Sequence, residues 1–190
     1  MLSTQVFQQK FDAGLTYEQY LETGNADQKA AWQQIHESVA LTDDQQKLVG
    51  SFVREMRVIC ISGIWCGDCV QQGPLLQRIA EGNADTISLV WLDRDTHQDL
   101  AEELKINAGM RVPVVIFAAE DNEVVSIYGD RTLTRYRAIA QRQLGAHCTI
   151  PGAPVPKDEL AGTLQDWLNE FERVQLLLRT SARLRDKHGD

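Results

Sequence analysis

Hydrophobic positions along this chain switch between helical and strand spacing, and the switches mark three stretches. Over residues 1–41 the spacing is helical. Thr16 is a helix-capping residue type followed by Tyr17, Tyr20 and Leu21. After a break at Gly24-Asn25, Ala31, Trp32, Ile35 and Val39 share one face of a second helix. A small helical pair packed on the remainder is expected. Over residues 42–145 helix and strand alternate. Thr42 and Gln45 have capping-box spacing ahead of Leu48, Val49 and Phe52. Met56 to Ser62 is a short β-branched run, hence a buried strand. Cys66 to about Ala80 reads as a helix containing Pro74, Thr86 to Leu92 as a strand, and Gln98 to Leu104 as a short helix. Val112 to Ala118 and Glu123 to Tyr128 read as strands joined by a turn at Asp121-Asn122, and Thr132 caps a helix to Leu144. That order predicts an α/β fold with a central mixed β-sheet flanked by helices. Over residues 146–190 a proline-rich loop, Pro151 to Pro156, leads into one long amphipathic helix. Its stripe is Leu160, Leu164, Trp167, Leu168, Phe171, Val174, Leu177 and Leu178, and Arg183, Arg185, Lys187 and His188 close it. Such a stripe packs on its own domain or, in the sharper reading, makes a homodimer through the helix.

Composition narrows the function classes. A length of 190 residues with 43% hydrophobic residues suits one domain with extensions. The net charge of −8 argues against nucleic acid or an anionic membrane as partner, since both select a basic surface. Lys10 has no long apolar run beside it, so the N-terminal stretch does not read as a secretory signal. The longest apolar-rich run, Val112 to Ala119, is too short to span a bilayer. A cytoplasmic location is the expectation. Four cysteines do not make a disulfide scaffold, but two of them form Cys-x-x-Cys, which in a cytoplasmic chain reads as redox or metal chemistry.

The pair lies in Trp65-Cys66-Gly67-Asp68-Cys69, just after a predicted strand and at the start of a predicted helix. Free N–H groups and the helix dipole favour negative charge there, so the thiol pKa falls and the nucleophilic thiolate is populated. Cys66 is then the exposed attacking thiol at the helix tip. Cys69, one turn inward, resolves the mixed disulfide. Structural zinc is the competing use of such a pair, but it takes about four ligands. No second pair exists, and His36, His97, His147 and His188 are scattered along the chain. No metal or cofactor is expected. Cys148 beside His147 is not a protease dyad, because such partners meet in space rather than in sequence, and it reads as an incidental free thiol.

Trp-Cys-Gly-x-Cys after a strand resembles the active site of the thioredoxin family. Three more positions carry the resemblance: Pro74, five residues beyond Cys69; Val112-Pro113 ahead of a strand; and Gly129, sixteen residues beyond Pro113. The resemblance covers roughly residues 43–145 and implies a thioredoxin fold, here with added N- and C-terminal helices. The whole chain resembles a bacterial branch of the family with a Trp-Cys-Gly-Asp-Cys motif. The implied activity is thiol–disulfide exchange with protein substrates, with an unidentified reductase regenerating the dithiol. By the same resemblance Pro113 is cis and discourages metal capture, the Val112 backbone pairs with an extended substrate segment, and Gly129 lies beside the redox site. Gly67 leaves room for that segment, Trp65 gives it an apolar shoulder, and Arg111 faces the same side to favour the thiolate. Three positions depart from the family. Cys60 stands where it carries a buried aspartate, and Trp91 where it carries a lysine. Cys60 reads as core. Asp68 also departs: at roughly 6 Å and an effective dielectric of about 40, its charge costs the Cys66 thiolate about 1.4 kcal/mol. Two rival functions remain: a non-catalytic binding module that uses the fold as a platform, and a metal or iron–sulfur carrier, which colour and metal content would reveal.

Overall fold

The computed structural model describes residues 2–144 and 158–190. The proline-rich loop, His147 and Cys148 lie outside the described residues. Three helices open the chain: α1 (Thr4–Asp12), α2 (Tyr17–Leu21) and α3 (Ala26–Ser38). The expected pair is therefore a trio. The signal for α1 was present in Ser3, whose side chain accepts from Val6 N–H, and in Phe7, which is buried. The capping boxes of α2 at Thr16 and of α4 (Asp43–Gly50) at Thr42 both form.

The sheet comprises β1 (Met56–Ser62), β2 (Ile87–Asp93), β3 (Val114–Ala119) and β4 (Val124–Gly129), in the order β2-β1-β3-β4. β1 runs parallel to β2 and antiparallel to β3, and β3 is antiparallel to β4. This mixed sheet between helices is the α/β thioredoxin fold. The strand expected from Val112 starts at Val114, because Pro113 has no N–H to give a ladder. Between the strands lie α5 (Gly67–Glu81) and α6 (Gln98–Glu103), and after them α7 (Leu133–Gln143), α8 (Glu159–Thr180) and α9 (Ala182–His188).

Pairing and alternation put Cys60, Ser62, Trp91, Phe117 and Tyr128 on one face of the sheet. The C-terminal helix α8 packs there. Phe171 meets Phe117 edge-on with ring centroids 5.0 Å apart, and Trp167 meets Tyr128 at 5.1 Å. Its apolar stripe is thus spent inside the chain. Opposite, α1 covers Arg57, whose guanidinium lies 5.5 Å from the Phe11 ring centre. Leu15 exchanges both backbone hydrogen bonds with Trp91 at 2.9 Å, covering the outer edge of β2. The predicted single C-terminal helix is two helices. Ser181 leaves helical geometry, and α9 turns its cations onto acidic side chains after β3: Arg183 on Asp121, and Lys187 and His188 on Glu120. Arg185, Lys187 and His188 also fall in the last turn of α9, where cations suit a helix C-terminus. Among the described residues no helix is long and apolar enough to cross a membrane.

The N-terminal helices build a cluster of large aromatic rings against the sheet. Trp32 packs edge-on to Trp91 at 5.6 Å, and Tyr20 stacks on Trp91 at 5.5 Å. The Trp32 indole N–H donates to the Ile64 carbonyl at 3.1 Å, so α3 holds the segment leading into Trp65 and Cys66.

Candidate active site

β1 ends at Ser62, and four residues later Cys66 is the N-cap of α5, in extended geometry with no side-chain cap. Its sulfur therefore stands at the open end of a helix. Cys66 is half-buried and Cys69, inside the first turn, is fully buried; both are free thiols. Cys66 Sγ lies 3.8 Å from the Val112 carbonyl, and the Gly63 N–H donates to Cys69 Sγ at 3.5 Å. The two sulfurs ionise very differently. The Cys66 thiol is lowered to about 6, chiefly by a hydrogen bond from the Cys69 thiol. Burial opposes this, while the backbone N–H groups of Cys69 and Asp68 add to it and the Asp68 charge again opposes. Burial, then the neighbouring Cys66 sulfur, pushes Cys69 well above its ordinary value. One sulfur is a thiolate near neutral pH and the other is held as a thiol.

The opposite wall is Val112-Pro113, whose peptide bond is cis. Neither peptide group of Val112 has a backbone partner among the described residues. Gly129 lies behind it, where a Cβ would sit 2.5 Å from the Pro113 carbonyl oxygen, so a side chain there would strike backbone. Trp65 is 48% exposed, and the Arg94 guanidinium sits 4.6 Å from its ring centre. Gly67 is exposed, with no atom within 4 Å of an added Cβ.

Charge around the pair differs from the sequence expectation in two ways. Asp68 is not a bare charge beside Cys66. Arg131 reaches its Oδ2 at 2.6 Å and Arg135 its Oδ1 at 2.7 Å. Burial works against its ionisation, but these two guanidiniums outweigh it and hold the carboxyl below its usual value. The aspartate therefore stays ionised yet neutralised, and its penalty on Cys66 is the least of the influences named above. Arg111, in turn, is turned to Asp130 at 3.2 Å and is not among the groups that lower Cys66. Asp130 also accepts from the Tyr136 hydroxyl. Arg131, Arg135, Asp130 and Tyr136 escaped the sequence reading. Arg131 lies just ahead of the Thr132 cap and Arg135 in the first turn of α7, but nothing in the sequence says which carboxylate they meet.

Cys60 is fully buried on β1, and burial alone pushes its thiol far up, so it stays neutral. Cys60→Val should leave insulin-disulfide reduction within about fivefold of the parent, far from the loss that follows removal of a general acid–base. It should cost less than about 1.5 kcal/mol in urea unfolding, as volume-conserving core swaps do. Among the described residues no three His, Cys, Asp or Glu side chains converge as a metal site.

The lowered thiol gives a pH signature. The thiolate fraction rises with pH, so iodoacetamide labelling of Cys66 should be half-maximal near pH 6 and level by pH 8. An ordinary cysteine would reach half-maximum at about 8.5. Peptide mapping of the reduced protein at early times should find the label on Cys66 and not on Cys69.

No curated protein sequence matches the chain. Among solved structures, a Pseudomonas aeruginosa protein of unknown function superposes with a TM-score of 0.68 at 19% identity, covering 92% of this chain and 99% of that one. An HIV epitope scaffold superposes at 0.62 with 17% identity, covering 92% and 98%. At these identities the likeness is one of fold, and its extent takes in the terminal helices as well as the sheet. A family model described as thioredoxin matches residues 14–141, from the segment that edges β2 to the last helix before the undescribed stretch. Spanning well over half of the chain, that match brackets the cysteine pair, Val112-Pro113 and Gly129, and the chain belongs to the thioredoxin family.

Proposed function

We propose that this protein is a thiol–disulfide oxidoreductase acting on protein disulfides, with Cys66 as the nucleophile and Cys69 as the resolving thiol. The observation that carries the reading is the split between two adjacent sulfurs: Cys66 at a helix tip and lowered to about 6, Cys69 buried beside it and raised. The Cys66 thiolate attacks one sulfur of a substrate disulfide. A bond forms between Cys66 and that sulfur, and the other substrate sulfur leaves as a thiolate and takes a proton. Cys69 then loses its proton and attacks Cys66 Sγ, closing the Cys66–Cys69 disulfide and releasing the second substrate thiol. The substrate gains two electrons and two protons, and a reductase returns them to the protein.

The surroundings suit a polypeptide substrate. The Val112 peptide groups, free of backbone partners, offer an extended segment one donor and one acceptor beside the attacking sulfur. Exposed Gly67 leaves that path open, and Trp65 gives it an apolar edge. Trapping tests the reading. Cys69→Ser leaves the mixed disulfide unresolved, so covalent adducts with protein partners should accumulate and dissolve on reduction. Partners caught equally by the Cys66→Ser, Cys69→Ser double variant would contradict it.

A further inference from the structure

Resolution requires a buried thiol to pass through its charged form, and the mechanism above names no group that meets the charge. Ser62 and Tyr20 are both fully buried, and neither hydroxyl has a hydrogen-bond partner among the described residues. A buried unpaired hydroxyl is costly, so two of them in one place call for an explanation. Ser62 ends β1 on the same sheet face as Cys60 and Trp91, and Tyr20 stacks on Trp91 over that face. The Ser62 hydroxyl thus lies near both the Tyr20 phenol and the Cys69 sulfur. Gly63, the next residue, already donates its N–H to Cys69 Sγ. In the dithiol the hydroxyls have nothing charged to bind. Once Cys69 ionises, a full acceptor appears beside them.

We propose that the Ser62 hydroxyl, oriented by the Tyr20 phenol, is the hydrogen-bond donor that carries Cys69 through its thiolate during resolution. The role rests on reading Cys66 and Cys69 as an exchange pair. The Cys69 S–H bond breaks and its proton goes to the departing substrate thiolate. The new bond joins Cys69 to Cys66, the bond from Cys66 to substrate breaks, and both hydroxyls keep their protons throughout. Ser62 acts on the reacting sulfur, and Tyr20 is a positioning residue acting through Ser62. Because Tyr20 comes from α2, the N-terminal helices complete the site rather than merely cover the sheet. The other titratable groups facing this place are Cys66 on α5, Cys60 on β1 and Asp93 at the end of β2.

An aromatic disulfide reagent, dithiobis-nitrobenzoate, separates the two steps in a Cys148→Ser background. The first coloured thiolate is released on attack by Cys66 and the second on resolution by Cys69. Ser62→Ala should slow the second release about tenfold, the worth of one hydrogen bond to a charged group, with the first release within about twofold. Its half-maximal pH should rise by about one unit. Tyr20→Phe should move the same step in the same direction. Tyr17→Phe removes the neighbouring buried hydroxyl, whose charged neighbours are Glu81, Arg78 and Glu18 rather than the cysteines, and should change neither step. A second release as fast in Ser62→Ala and Tyr20→Phe as in the parent would overturn the role. A parent that releases a single equivalent would instead overturn the exchange reading itself.

Discussion

Cys66→Ser should abolish insulin-disulfide reduction, a fall of roughly a thousandfold or more, because the hydroxyl that replaces the thiolate is no nucleophile near neutral pH. Cys69→Ser should stop turnover as completely, but after one attack rather than before it. The two variants are therefore separated by the state in which they halt: one unreacted, the other covalently bound to substrate. A third variant probes the cause of the low Cys66 value. Its largest contribution is the hydrogen bond donated by Cys69. Cys69→Ala removes that donor, and the midpoint of iodoacetamide labelling at Cys66 should climb from near 6 toward the ordinary cysteine value. Cys69→Ser keeps a donor and should hold the midpoint close to the parent's. Equal midpoints in the two variants would mean that the helix terminus alone sets the value.

Gly73→Ala should destabilise the fold by about 2–3 kcal/mol, the upper part of the range for overpacking. In a helix interior the same change ordinarily stabilises by up to about 1 kcal/mol, so the sign itself is diagnostic. The reason is Trp32. A Cβ at Gly73 would lie 2.2 Å from its Cζ3 and 2.5 Å from its Cη2, with Trp91 Cη2 at 3.2 Å. Trp32 cannot retreat, since it is fully buried between Tyr20 and Trp91 and its N–H is bound to the Ile64 carbonyl. Displacing it would also release the segment ahead of Cys66, so activity should fall with stability. Trp32→Phe added to Gly73→Ala should recover part of the loss, a coupling that urea unfolding of the single and double variants measures. A neutral or stabilising Gly73→Ala would contradict this packing.

The sheet and the cysteine pair were legible because their signals are local. Met56 to Ser62 is a short β-branched run interrupted only by Arg57, and the structure starts and ends the strand at those residues. A capping threonine three residues ahead of its glutamine marks α4 in the same way. What escaped depends on where separate segments meet. The α8 stripe is readable, but its end at Ser181 follows from acidic residues after β3 that draw α9 aside. Asp68 reads in sequence as a lone charge beside a thiolate. Only the fold brings Arg131 and Arg135 to it from more than sixty positions away. Likewise Arg111 sits next to Val112 in sequence, yet Asp130 turns it away from the sulfur. Tyr20 looks like one face of a small surface helix, and nothing local shows that it ends against Ser62 and Cys69.

The account stands most directly on whether Cys66 and Cys69 form a reversible bond with each other. Full-length protein is held under mild oxidant or under reductant, alkylated in denaturant, and weighed intact and as peptides. The account predicts two fewer alkylated thiols in the oxidised sample, one peptide species joining Cys66 to Cys69, and recovery of both thiols on reduction. Both cysteines alkylated to the same extent in the two samples would contradict it.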